Sequence, residues 1–165
     1  MATQTGELVS ARGMSNRGRM PYFVQSSINL ATATTEKGSA LAAGDIFEAI
    51  SVPANTLVLQ AGMQYDTALD SSAAGVTFNL GFSDTHGAVD TFVAVHDGDA
   101  ATAGDYATPT DDSNILVETA DTIDLELQAI STTPVSGIIR IFAVMMDCSD
   151  TGSLAPVDVD RDTLA

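Results

Sequence analysis

The stretch VTFNLGFS at 76–83 sets Val76, Phe78, Leu80 and Phe82 on one side of the chain and Thr77, Asn79 and Ser83 on the other. A period of two over that length suits a strand with one face in a core; helical apolar positions recur every three to four residues instead. The same alternation returns in TIDLELQAI, where Ile123, Leu125, Leu127 and Ala129 alternate with Asp124, Glu126 and Gln128, as on a sheet with one wet face. In TLVLQAGMQYD at 56–66 it predicts Leu57, Leu59, Ala61, Met63 and Tyr65 on one face and Val58, Gln60, Gly62 and Gln64 on the other. GIIRIFAVMMD at 137–147 is apolar on both sides except at Arg140, which suits a central strand.

Shorter β-prone runs and turn-rich clusters surround these four. FVQSSINLAT at 23–32 precedes a loop, TEKGSALAAGD, and IFEAISV at 46–52 ends in a Pro-Ala-Asn turn that predicts a hairpin with the following strand. SALAAGDIFEAI has a helix-compatible composition, but Gly44 interrupts it and Ile46, Ile50 and Val52 suit a strand. VDTFVAVH at 89–96 and ILVET at 115–119 flank a polar loop at 97–114, too rich in Gly, Asp, Thr and Pro to pack internally. About eight strands, with no long amphipathic helix, heptad run or internal repeat, define an all-β chain: an antiparallel β-sandwich or jelly roll. A length of 165 residues fits one domain and buries roughly 70% of the unfolded chain's surface, so packing alone can hold it. The lone Cys148 makes no intrachain disulfide, as expected of a protein assembled in a reducing cytosol.

Charge is sorted by segment. The body at 23–156 holds 18 Asp or Glu against Lys37 and Arg140, hence −16; the first 22 residues hold Arg12, Arg17 and Arg19 against Glu7, hence +2; and the tail at 157–165 carries −2. A body so short of Lys and Arg lacks the means to neutralise phosphates, which excludes nucleic-acid binding by it. The first 22 residues, with Gly6, Gly13, Gly18 and Pro21 and no periodicity, predict an extended basic arm that gains order on a partner. They lack the apolar run of a signal peptide, and the longest apolar stretch is too short for a membrane helix, so a soluble chain with no membrane partner is expected.

Catalytic equipment is sparse. The chain has no G-x-S-x-G, Walker loop or G-x-G-x-x-G, so no enzyme activity, catalytic residue or cofactor is expected. His86 and His96 lie ten positions apart, too far along a strand for one ion, and are expected as surface residues at its ends. The calcium candidates are Asp97, Asp99 and Asp105 in DGDAATAGDY, set against a solvated acidic turn, which is the better-supported reading; no metal is expected. Arg140, the single charge in its apolar run, is expected to pair with a carboxylate or to sit at a subunit contact.

The arm, the runs GDIFEAISVPANTLVLQAGMQ and GVTFNLGFSDT, and the acidic composition resemble small virion structural proteins of tailed phages, particularly those of marine bacteria, with the likeness best over 44–85. The resemblance implies a capsid decoration (cement) protein: β-rich, oligomeric, made in the host cytoplasm, placed on the capsid exterior and too short to be a complete major capsid protein. On that reading Arg12, Arg17, Arg19, Met20 and Tyr22 form an arm that grips the major capsid protein, and the body is a homo-oligomer, a trimer before a dimer. A phage tail or fibre module, or a carbohydrate-binding β-sandwich using Tyr106 and the loop at 97–112, is the alternative. The absence of Trp and an aromatic content of 5% count against the sugar-binding form.

Overall fold

A computed structural model describes residues 20–70, 73–83, 86–107, 109, 114–132 and 136–148. The arm through Arg19 and the tail at 157–165 lie outside the described residues, as do Asp111 and Asp112. Nine strands and one helix follow in the order β1 (Tyr22–Asn29), α1 (Leu30–Lys37), β2 (Asp45–Val52), β3 (Thr56–Thr67), β4 (Thr77–Gly81), β5 (Val93–Asp97), β6 (Tyr106–Ala107), β7 (Ile115–Val117), β8 (Asp121–Ala129) and β9 (Ile138–Asp147). The first sheet has the order β1-β9-β3-β6, with β7 also on β3; the second has the order β2-β8-β4-β5. Every pairing is antiparallel. The first strand therefore lies beside the last and the second beside the second-to-last, which is the doubly wound order of a jelly roll. The helix is the only one among the described residues, and it is far too short to cross a membrane.

The predicted inner faces of β4 and β8 fill the core. Val76, Phe78, Leu80, Phe82, Ile123, Leu125 and Leu127 are all fully buried, facing Ile139, Ile141, Ala143 and Met145 from β9. Aromatic edges knit the interior, with Phe82 and Phe92 at 5.4 Å and Tyr65 and Phe78 at 6.5 Å between ring centroids. β9 is central in its sheet, between β1 and β3.

Several expectations give way to the tertiary arrangement. The Pro53–Asn55 turn is not a hairpin: β2 and β3 belong to different sheets, and the turn carries the chain around a corner of the sandwich. Asn55 adopts a left-handed backbone there (φ 57°), and its carbonyl accepts the amide of Cys148 at 2.8 Å. In β3 a bulge opens between Val58 and Gln60, so that Val58 pairs with Met145 and Gln60 with Val144. Beyond the bulge Ala61, Met63 and Tyr65 are buried as predicted, but before it the faces are exchanged: Val58 is in the core and Leu57 and Leu59 face outward, half-buried. Residues 30–37, read as the end of a strand and the start of a loop, form α1. Its Asn29 cap accepts the amides of Ala31 and Thr32, and Gly38 closes it in a left-handed conformation (φ 71°). Within the polar loop at 97–114, Tyr106 and Ala107 pair with Gln64 and Met63, making β6 and β7 two pieces of one edge strand along β3.

The two outer faces differ in chemistry. Glu48, Glu126 and Gln128 give the second sheet the expected wet face, but Asp124 is fully buried there. The segment after β4 folds back over this face: the Phe82 and Thr91 amides both donate to the Ala88 carbonyl, and Asp124 accepts the Ser83 hydroxyl. Gly81 makes this approach possible, since a Cβ there would meet the Ala88 carbonyl oxygen, with Thr91 N and Val89 C at 2.7 Å.

Candidate functional site

The residues singled out in the sequence fall into two regions. The first is the outer face of the first sheet. Of the arm residues, Met20 and Tyr22 are described; both are exposed and stand at the start of β1, the edge strand of that sheet. Phe23 follows, 59% exposed, and stacks on Phe142 of β9 with centroids 6.2 Å apart and planes 18° from parallel. Gly62 of β3 is the register partner of Phe142, and a Cβ on it would lie 2.7 Å from the ring, so the ring lies flat across the missing side chain. Leu57, Leu59, Val144 and Met146 continue this face half-buried, and Leu116 of β7 ends it, exposed. Arg140 sits in the same plane rather than in the core, and its Nη2 donates to Asp66 Oδ2 at 2.8 Å, both side chains being partly exposed. Sequence reasoning found β9 apolar on both faces but placed no exposed surface on it; the signal was the aromatic pair Phe23 and Phe142 on neighbouring antiparallel strands.

The second region is an acidic cleft of about 390 Å3 lined by His96, Asp97, Ala100, Ala101, Gly104, Asp105 and Tyr106. A bulge in β5 builds it, since Phe78 pairs with His96 and Leu80 with Val93, leaving Ala94 and Val95 opposite Asn79. Val95 has a left-handed backbone (φ 48°), which a β-branched residue adopts only under constraint, and its amide donates to Asn79 Oδ1 at 2.8 Å. The ring of His96 then lies 5.7 Å from that of Tyr65, which is fully buried. Among the described residues neither the Tyr65 hydroxyl nor His96 Nε2 has a hydrogen-bond partner. Burial and the charges of Asp97 and Asp99 push the Tyr65 hydroxyl well above its ordinary pKa. Burial holds His96 below the usual imidazole value, opposed by Asp97 and Asp105.

The calcium candidates do not converge. Asp97 caps the Ala100 amide at 3.3 Å; Asp99 accepts the amides of Val76 and Gly75 at 2.7 and 3.1 Å; Asp105 accepts the Thr102 amide and hydroxyl at 2.7 and 2.9 Å. Those bonds, with Val76 first for Asp99 and Thr102 first for Asp105, hold both carboxyls below the ordinary Asp value. Among the described residues no three His, Cys, Asp or Glu side chains stand together as a metal site. His86 is not at the surface as expected. Its side chain is 10% exposed, with Nδ1 at 2.8 Å from Asp121 Oδ2 and Nε2 accepting the Thr119 amide at 3.3 Å, which puts the proton on Nδ1.

The fold and these two regions define a jelly-roll β-sandwich with one neutral apolar face and one acidic cleft. Known proteins were compared with it at three levels. No protein-family model matches the chain, and no curated protein matches it in sequence. Among solved structures, a chain of the cyanophage Pam1 capsid asymmetric unit superposes with a TM-score of 0.58 at 12% identity, over 79% of this chain and 87% of that one. A chain of the capsid of Ralstonia phage GP4 superposes with a TM-score of 0.56 at 18% identity, over 79% and 86% respectively. At these identities the likeness is one of fold.

Proposed function

We propose that this chain is a structural protein of a phage virion, a capsid decoration (cement) protein whose jelly-roll body sits on the outside of the shell as a homo-oligomer while its basic N-terminal arm reaches between major capsid subunits. The observation that carries the reading is the recurrence of this jelly roll, across nearly the whole of a chain of similar length, in two phage capsids. The charge distribution supports the division of labour. Arginines at 12, 17 and 19 offer forked donors to carboxylates and carbonyls, and several weak arms acting together from one oligomer multiply their affinity. The body, at −16, is kept soluble by its own charge. The reading requires no catalytic step and no cofactor.

The test is co-sedimentation with capsids of the same virus. The protein lacking residues 1–20 is expected to keep a cooperative melting transition and to lose capsid binding; undiminished binding by the truncated protein overturns the reading. A second reading, a glycan-binding module on a tail or fibre, draws on one observation, the cleft in which the exposed Tyr106 ring stands beside Asp97 and Asp105. A glycan array with added calcium separates the two, since the decoration reading expects no bound sugar.

A further inference from the structure

The described outward positions of the first sheet carry no net charge. Its outward positions are Phe23, Gln25 and Ser27 on β1, the alternate residues of β9 from Ile138 to Met146, and Leu57, Leu59, Gln60, Gly62, Gln64 and Asp66 on β3. The sole charges among them are Arg140 and Asp66, which neutralise each other. Four strands about 4.8 Å apart and some eight residues long make a face of roughly 500 Å2. That is the size of the largest patch on a typical monomer, a kind of patch that is often functional, and here the apolar side chains are interspersed with Gln25, Ser27, Gln60 and Gln64. Its most open apolar side chains, Phe23 at 59% and Leu116 at 47% exposure, stand at its two margins, with Leu57, Leu59, Phe142, Val144 and Met146 half-buried between them.

We propose that a second copy of this chain covers this face, the two first sheets packing against each other about a two-fold axis. Charge selects the occupant. A basic partner would find its complement on the second sheet, where Glu48 and Glu126 face outward, and would gain nothing electrostatic from a neutral surface. Another copy, itself at −16, is repelled from every acidic surface and meets least repulsion where no carboxylate faces a carboxylate. Shape agrees, because the Phe142 ring lying flat over Gly62 leaves a level aromatic surface of the kind that two sheets pack across at about 10 Å. A single self-complementary patch closes as a dimer, not as the trimer expected from the resemblance. Its area falls short of the ~800 Å2 per partner of a standard interface, so the pairing is weak and concentration-dependent. The proposal names a surface for the self-association in the proposed function and rests on that part of it alone.

The experiment is sedimentation velocity of the full-length protein without capsids, from about 10 µM to about 1 mM, at about 0.05 M and about 1 M NaCl. High salt shortens the Debye length to about 3 Å and removes the repulsion between copies, so the dimer fraction is expected to rise with salt and the dissociation constant to fall about tenfold. Pairing through the arginine arm would show the opposite dependence. Phe23→Glu, at an exposed site, is expected to raise the dissociation constant about a hundredfold, since each copy loses a buried ring at the interface. Leu116→Glu, at the other margin, is expected to weaken pairing in the same direction, while Glu48→Gln on the opposite sheet leaves it intact or strengthens it. Cooperative melting of each variant controls for folding. A full-length protein that stays monomeric throughout, pairing that weakens as salt rises, or pairing indifferent to both Phe23→Glu and Leu116→Glu overturns the proposal. Because no capsid is present, none of these outcomes bears on whether the arm grips a shell.

Discussion

Replacing Tyr65 by Phe removes a single oxygen from the middle of the sandwich, and the structure fixes the sign of the effect. The ring is fully buried between Phe78 and His96, and its hydroxyl has no hydrogen-bond partner among the described residues. A buried hydroxyl in that state costs roughly 1–3 kcal/mol of desolvation with nothing gained in return. Phe keeps the ring, so no cavity opens. Tyr65→Phe is therefore expected to stabilise the protein by about 1 kcal/mol at neutral pH, seen as a rise of about 2–4 °C in melting temperature. The same residue sets an alkaline limit. Its folded-state pKa is raised above the unfolded value of about 10 by burial and by Asp97 and Asp99. Below about pH 10 neither state loses the proton and the full stability is present; above it the unfolded chain ionises while the folded one does not, so stability falls as pH rises. Urea denaturation at pH 7 and again near pH 11 is expected to show the gap between variant and parent widening in the alkaline sample. A loss of more than about 0.5 kcal/mol at pH 7 would refute the reasoning, because it would mean that the hydroxyl makes a bond worth keeping.

Two further substitutions test the backbone argument. Gly81→Ala drives a Cβ into the main chain at Ala88 and Thr91, which cannot yield as a side chain can; it should cost about 1–3 kcal/mol and deprotect the Phe82 and Phe92 amides in hydrogen exchange, and an unchanged exchange pattern would count against the docked segment. Val95→Gly relieves a left-handed β-branched residue at a 59% exposed site where little packing is lost; the strain relieved, of about 1–2 kcal/mol, exceeds the added flexibility of glycine, so the urea midpoint should rise, and a fall would show that the Val95 side chain is needed.

Which residues face the core was legible in β4 and β8, and in β3 beyond its bulge, because side-chain direction in a strand is a local property with a period of two. The all-β class was legible for the same reason: composition and alternation survive without knowledge of neighbours. α1 was missed although Asn29 and Gly38 signal both of its ends. Thr32, Thr34 and Thr35 lower its intrinsic propensity, and two of them bond back to carbonyls four residues earlier.

What the sequence by itself determined, then, was a sandwich with the inner faces of β4, β8 and much of β3, and a separation of charge along the chain. Tertiary structure alone decided that β2 and β3 part into different sheets at Pro53, that the bulge at Leu59 and Gln60 turns two leucines outward, that the turn after Gly81 buries Asp124, and that Phe23 meets Phe142 on an open face. The physical reason lies in range. Alternation is set by each residue's own backbone, whereas β1 finds β9 across more than a hundred positions, and which strands pair is settled by how the whole set of apolar faces can be buried at once.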